Sequence, residues 1–507
     1  MKLIIQSKNY KGANMRFLTK TIENYEADTI ICFIYEDSQN QSQLFKKLNK
    51  QTNNELNKQV FEYKSIKGSV NEVFKYSINE NKKIFVCGLG KKEELSRKTF
   101  SQVVANAGRI VKSLNTKSIG IELIENKSDC SCILNNFNFE DAAKITLTAL
   151  RIGLYEFTKY LNKNNEIDTI ELICEKITPE IERGAQIGAY TSFAMKFAKD
   201  LVNESAQIVT PCYVAKIAQE IANEHKLEAK IYNVKEIREM KMNAFLAVGQ
   251  GSINEPKFIH LTYKPEGTPK KKIALIGKGI TFDAGGMNIK PATSMLTMKS
   301  DMTGAASVLG IMQAIAKIKP DIELHVISAL CENMTSGSAY KQGDVLTAMN
   351  GKTIEVDNTD AEGRITLADA LCYADKLNVD EVIDIATLTG AVIVSLGHNI
   401  TGVLGNNQEQ INKFLETSKE SCENTWQMPI LDELKDNLKS EIADFKNTGG
   451  RNAGTSTAGW FLSNFTNSKS WLHLDIAGTA YIDKSNRETL SGATGVMIRS
   501  LINYILK

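Results

Sequence analysis

The first third of the chain alternates short apolar runs with stretches of helical spacing. Thr29–Tyr35 (TIICFIY) and Ile84–Gly90 (IFVCGLG) are uninterrupted apolar runs of strand length. Between Lys98 and Leu114, the residues Val103, Val104, Ala107, Ile110, Val111 and Leu114 recur on one side of a helix. Ser118–Ile124 and Thr169–Glu175 predict further strands. Strands interleaved with helices predict an α/β layer. From about Glu180 to Leu201 alanines replace the β-branched runs, which predicts a helix joining this layer to a second one.

The second layer is written more plainly. Lys272–Ile276 predicts a strand, followed by a glycine-rich loop through Gly286. Gly304–Ile318 predicts a helix with Val308, Ile311, Met312, Ile315 and Ile318 on one face. Ile322–Leu330 is the next strand. Ile365–Leu377 is a helix with Leu367, Ala370, Leu371 and Ala374 inward, and Glu381–Ala386 is a strand running into a turn at Thr387–Gly390. Single helices between strands imply mostly parallel pairing. The expected fold is therefore two α/β domains, the C-terminal one with a mostly parallel sheet flanked by helices. The expected division is residues 1–178, a linker helix at 179–200, and residues 201–507.

Composition narrows the function classes. Within 507 residues, 42% hydrophobic and 24% charged positions are ordinary for a soluble globular chain. The 61 basic and 59 acidic residues leave a formal charge of +2, which gives no footprint for nucleic acid. Nine scattered cysteines, without a CxxC pair, predict buried thiols in a reducing compartment and neither a zinc knuckle nor a disulfide framework. The start, MKLIIQSKNYKG, is too short in apolar residues for a signal peptide, and no run approaches the ~18 needed for a membrane span. The expected location is the cytoplasm.

Two segments carry candidate chemistry. The first is Gly277–Pro291 (GKGITFDAGGMNIKP), with Asp301 soon after it in KSDMTG. The second is Asn358–Arg364 (NTDAEGR). Carboxylates and lysines interleaved with glycine are poor material for a core. Asp283, Asp301, Asp360 and Glu362 are four anions that repel each other unless cations lie among them. Oxygen ligands with one amine suit Mg²⁺, Mn²⁺ or Zn²⁺. The alternatives are plain: Thr359 or Asp360 caps the helix expected near Ile365, and Gly277–Gly286 is a tight strand-to-helix connection.

These segments resemble the signature stretches of the leucyl aminopeptidase (cytosol aminopeptidase) family. NTDAEGR matches at every position, and GKGITFDAGG, IKP at Ile289–Pro291 and SDMTGAA at Ser300–Ala306 match with the expected spacing. SGSAYKQGDVLTAMNGKTIEV, ATLTGA and HLDIAG extend the likeness to Gly478, and GLGKKEEL at Gly88–Leu95 resembles the N-terminal domain. The resemblance implies a metal-dependent aminopeptidase preferring leucine-like N-termini, with two divalent ions per subunit. Zn²⁺ is the expected ion, with Mn²⁺, Mg²⁺ or Co²⁺ as alternatives.

It implies one ion on Asp283, Asp360 and Glu362 and another on Lys278, Asp283, Asp301 and Glu362. Lys290 would polarise the scissile carbonyl, and Arg364 would hold bicarbonate as general base. Thr387, Leu388 and Gly390 would contact substrate through the backbone, while Met298 and Ala477 would line the first side-chain pocket. It also implies a homohexamer. The chain departs from the family pattern at Gly459 and Trp460, where a repacked helix is expected.

Other features are set aside. His225, His260, His325, His398 and His473 form no HExxH or HxxEH pair, and His325 reads as a core residue. Asn350–Thr353 lacks the upstream glycine of a P-loop, since Leu346 stands there. Lys270–Lys272 reads as a solvated loop. A DNA-binding or regulatory role is the alternative function.

Overall fold

The computed structural model describes residues 5–8, 14–36, 41–114, 116–124, 137–161, 167–485 and 489–507. These fall into two compact units, one within Met1–Phe193 and Lys484–Leu490, the other Ala194–Asp483 with Ser491–Lys507. The helix Pro179–Asn203 runs through the division between them. The thiols of Cys130 and Cys132 lie outside the described residues; of the other seven, Cys212 is exposed and the rest are buried. Among the described residues no helix is long and apolar enough to cross a membrane.

In the first unit, β1 (Ile5–Lys8), β2 (Asn14–Thr21), β3 (Thr29–Ile34), β4 (Val73–Ser77), β5 (Lys83–Gly88), β6 (Ser118–Glu122) and β7 (Thr169–Cys174) form one sheet in the order β1-β2-β7-β6-β3-β5-β4. The interior pairs are parallel, and both edge strands run antiparallel. Alternation along β3 sorts the two faces. Cys32 and Ile34 pack on Leu44, Phe45 and Leu48 of the helix Gln43–Gln51. Phe33 points the other way and meets Phe100 edge-on at 5.7 Å, on the helix Arg97–Lys112. That helix packs against Phe139–Leu154, a buried helix that the periodicity did not single out.

The second unit holds β8 (Glu228–Tyr232), β9 (Lys257–Tyr263), β10 (Lys272–Gly277), β11 (Gly279–Asp283), β12 (Glu323–Asn333), β13 (Val345–Thr347), β14 (Thr353–Glu355), β15 (Glu381–Ala386), β16 (Thr401–Gly405), β17 (Thr425–Gln427), β18 (Phe445–Lys446) and β19 (Trp471–Asp475). Its main sheet has the order β17-β16-β19-β15-β10-β12-β9-β8, with β11 added beside β12. The β19-β15-β10-β12 centre is parallel, and antiparallel β9 and β16 flank it. From β10 the chain goes first to β12 on one side, through the helix Thr303–Ile318. It then returns to β15 on the other side, through Glu362–Ala374. The carboxyl end of β10 is thus a switch point, where ligands of such sheets gather.

The glycine-rich loop expected after Ile276 needs correction. Its Gly279–Asp283 part is a strand, because β12 outruns β10 and offers Leu330–Asn333 for pairing. A register shift between Ile280 and Phe282 bends it. Lys278 is the single residue between the two strands. The helix expected from Ile365 starts at Glu362, and its N-cap, Ala361, makes no side-chain cap bond. Neither Thr359 nor Asp360 caps it. All thirteen residues of that helix are buried, which explains its weak one-sided pattern. Lys270 is exposed as expected, but Lys271 pairs with Glu381 and Lys272 opens β10. Around Trp460, which meets Phe445 edge-on at 6.2 Å, a Cβ on Gly459 would come 2.5 Å from Leu404, so the local helix is packed around a missing side chain.

The helix pair in the first unit gives a stability prediction. A Cβ on Gly153 would lie 1.9 Å from the Ala105 carbonyl oxygen, a backbone atom that cannot swing aside. Helix propensity favours alanine by at most ~1 kcal/mol. Forcing the helices apart costs ~1–3 kcal/mol or more. We therefore expect Gly153→Ala to lower the thermal midpoint by several degrees in calorimetry; an unchanged or raised midpoint would refute this packing.

Candidate metal centre

The centre is assembled at the carboxyl ends of β10, β11, β12 and β15. Close backbone contact comes first. A Cβ on Gly277 would lie 2.4 Å from the Gly304 oxygen, and one on Gly304 would lie 2.2 Å from the Ile385 oxygen. Lys278 is held in this crossing by its N–H to the Ile385 oxygen (3.0 Å) and its C=O from the Ala305 N–H (2.9 Å). Its side chain then passes Gly363, where a Cβ would come 2.4 Å from the lysine Cε. Glycine at 363 is required by that stem.

Asp283 ends β11, Asp301 sits in the 3-10 turn Met298–Met302, and Glu362 opens its helix. All three are buried, and each offers an oxygen within 4.8 Å of those of the other two. Asp360 joins them from the loop before the helix. The Lys278 ammonium bonds Asp301 (2.8 Å), Glu362 (2.9 Å) and the Thr387 carbonyl (2.9 Å). Lys290 bonds Asp283 (2.8 Å) and Asp360 (2.5 Å). Thr387 also donates its hydroxyl to Asp301 at 2.6 Å.

Further residues hold these groups still. Asn333, at the end of β12, donates to Asp283 (2.9 Å) and to the Thr359 carbonyl (3.0 Å). Thr359 donates to the Gly285 carbonyl (2.6 Å) and accepts from Asn288 N–H (2.8 Å), stitching the two signature segments together. Tyr340 donates to the Thr359 carbonyl at 2.7 Å.

Of the remaining sequence candidates, Leu388 and Ala477 each give a backbone N–H to Asp475. Met298 lies half-buried in the turn that carries Asp301, and Gly390 opens a short helix. Arg364 does not bond the cluster. It is buried and donates to the Asn447 carbonyl at 2.8 Å. Asn333, Thr359, Asn447 and Asp475 went unrecognised as parts of the site. Asp475 carried a signal through the HLDIAG stretch and Thr359 through NTDAEGR, where it reads as a helix cap; Asn333 and Asn447 carried none.

Electrostatics sets the chemistry. Four carboxylates against two ammonium groups leave two negative charges in a largely buried place. Burial pushes the Asp283 carboxyl up to about 6, with Glu362 adding to it against Lys290 and Lys278. Burial likewise raises Asp301 and Asp360 against their lysines. Burial works against the charge of Lys278, but Asp301, Glu362 and Asp283 outweigh it and raise its pKa. Glu362 goes the other way: Lys278 and Lys290 overcome its burial and lower it. Burial lowers the Arg364 guanidinium to about 10 against Glu362 and Asp475. Glu362 Oε2 is buried without a hydrogen-bond partner among the described residues. Surplus negative charge and an unused buried carboxylate oxygen fit divalent cations held by oxygen ligands.

A carboxylate cluster at the switch point of a mostly parallel sheet has the donor chemistry of a divalent-metal site. The models of the cytosol aminopeptidase family match this chain, the catalytic domain over residues 196–502 and the N-terminal domain over 31–164. A probable cytosol aminopeptidase of Aquifex aeolicus is 39% identical over 501 residues, covering 98% of this chain and 99% of the relative. That of Persephonella marina is 46% identical over 372 residues, covering 72% and 75%. Among solved structures, a mutant of tomato leucine aminopeptidase superposes with a TM-score of 0.86 at 32% identity, covering 99% of this chain and 98% of that one. The bottromycin maturation enzyme BotP in complex with Mn gives 0.82 at 28%, covering 95% and 99%. The chain belongs to the cytosol aminopeptidase family and is a metallo-aminopeptidase.

Cation binding must compete with protons here. Asp283, with its pKa near 6, and Asp301 and Asp360, also raised, lose protons when a cation takes their oxygens. Since these groups are protonated at low pH, affinity should weaken as pH falls through about 6. Calorimetric titration with Mn²⁺ in buffers of different ionisation heat should count more protons released at pH 6 than at pH 8. Equal release at both, with unchanged affinity, would contradict the burial of these carboxylates.

Proposed function

We propose that the chain removes single residues, leucine-like by preference, from the N-termini of peptides by two-metal activation of a water molecule. The observation that carries this reading is the convergence of Asp283, Asp301 and Glu362 within 4.8 Å beside two lysines. Asp283, Asp360 and Glu362 would hold one divalent ion, and Lys278, Asp283, Asp301 and Glu362 the other. Bound there, such ions lower the pKa of water and polarise a carbonyl. Zn²⁺ is our first choice; the manganese complex of BotP keeps Mn²⁺ beside it.

Lys278 would give up a proton to serve as a ligand, against the carboxylates that now hold it charged. Lys290 would stay charged and donate to the oxyanion that develops at the scissile carbonyl, so its contribution is greatest in the transition state. Arg364, whose Nε is buried without a partner among the described residues, would hold bicarbonate, whose chemistry is that of a general base. The free α-amine of a peptide would be a ligand to one of the ions, and an internal bond or a blocked terminus offers no such amine. Met298 and Ala477 would form the wall for the first side chain, with Thr387, Leu388 and Gly390 offering backbone contacts. Such a wall separates side chains by ~1–3 kcal/mol per methylene.

The catalytic part would be residues 201–507, the location cytoplasmic and the assembly a homohexamer, all in line with the family. No observation favours the DNA-binding alternative.

Two experiments test this. Leucine amide should be cleaved, N-acetyl-leucine amide should not, and a chelator should abolish the activity. Cleavage of the blocked compound, or activity that survives chelation, would overturn the proposal. Lys290→Ala should lower kcat by about 100-fold or more, the loss seen for a single oxyanion donor, with a much smaller change in KM. A change confined to KM would mean that Lys290 binds substrate and transition state alike.

A further inference from the structure

We propose that Asp475 is a positioning residue that orients both loops lining the substrate site. The inference rests on the proposed roles of Thr387–Gly390 and Ala477 as substrate contacts. Asp475 is the last residue of β19, opposite Ala386 of the parallel neighbour β15. Both chains leave the sheet immediately after this pair, one into Thr387–Gly390 and the other into Ile476–Ala477. The Asp475 side chain stands where the two loops diverge, fully buried.

Its hydrogen bonds reach both loops. Oδ1 accepts the N–H groups of Leu388 (3.2 Å), Thr389 (3.4 Å) and Ala477 (3.2 Å), and Oδ2 accepts the Thr389 hydroxyl (2.6 Å). All four partners donate. Three of these partners are N–H groups, which only donate; burial raises the Asp475 carboxyl, opposed by His473, the Thr389 hydroxyl and the Ala477 and Leu388 N–H groups. Two basic side chains lie near it: His473, two residues earlier and bonded to Asp384 at 2.5 Å, and Arg364.

Peptide planarity turns these bonds into an orientation. In a trans peptide the C=O of one residue points opposite the N–H of the next. With the Leu388 N–H on Asp475, the Thr387 carbonyl faces away from it, and there it accepts the Lys278 ammonium at 2.9 Å. With the Thr389 N–H on Asp475, the Leu388 carbonyl faces away as well. One buried carboxylate therefore fixes which way the loop presents its carbonyls, and anchors Ala477 opposite. Its oxygens touch no reacting atom in the proposed mechanism, so its part is positioning.

The test compares Asp475→Ala, which removes all four bonds, with Asp475→Asn, which keeps one oxygen for the three N–H groups. Thr389→Val is the third variant and removes the hydroxyl partner, together with that hydroxyl's bonds to the Val392 N–H and Thr455. Each is measured as the Mn²⁺-loaded full chain on leucine amide and alanine amide, together with its bound metal and thermal midpoint. A misplacement of about 1 Å costs about 100-fold. We expect Asp475→Ala to lose about that much in kcat/KM on leucine amide, with full metal content and a reduced preference for leucine over alanine. Asp475→Asn should recover to within about 10-fold of the wild type, and Thr389→Val should fall between.

Wild-type rates and preference in the folded variants would overturn the assignment, as would an equal loss on both substrates in step with lost metal. If Asp475→Ala does not fold, unchanged preference in the other two variants overturns it just as well. A wild-type chain that leaves leucine amide intact would instead refute the reading of the site itself.

Discussion

Everything distinctive in the second unit follows from placing four carboxylates and two lysines together in a poorly solvated spot. Such a cluster is stable only if its charges are matched at close range and its geometry is held from outside. The backbone must therefore bring several strand ends into contact. Gly277 and Gly304 let two segments cross with no room for a Cβ on either, and Gly363 leaves space for the stem of Lys278. Asn333, Thr359 and Tyr340 then hold the loops that carry Asp283 and Asp360. The helix Glu362–Ala374 is buried on every side because it plugs the space beside this centre.

The parts of this design that were readable in the sequence are those written locally. β3, β5, β10 and β15 are apolar runs, and their positions agree with expectation to within a residue or two. The charged residues of the centre stood out because aspartate, glutamate and lysine among glycines have no use in a core. β11 was hidden because its glycine start and its aspartate end look like loop, and only the length of β12 makes it a strand. The antiparallel flanks β9 and β16 were hidden because a strand's own pattern does not state its direction. Asn333 was hidden because its side chain acts on Asp283 and the Thr359 carbonyl, both distant in sequence, and the role of Thr359, though inside NTDAEGR, because its partners Gly285 and Asn288 lie in the other segment. His325 kept its expected role as a core residue, bonded to His260 at 2.9 Å across β9 and β12.

The two lysines show how one cluster can prepare different tasks from the same side chain. Both have raised pKa values for the same reason, the surrounding carboxylates. Their partners differ. An ammonium has three N–H donors. Those of Lys278 are matched by Asp301, Glu362 and the Thr387 carbonyl, and its side chain is 3% exposed. Lys290 has two partners among the described residues, Asp283 and Asp360, and is 13% exposed. It keeps a donor for a group arriving from solvent, which Lys278 does not. Burial and valence support the proposed division into a ligand and an electrophile, because the lysine with a donor to spare can meet a substrate carbonyl without first giving up a bond that holds the centre together.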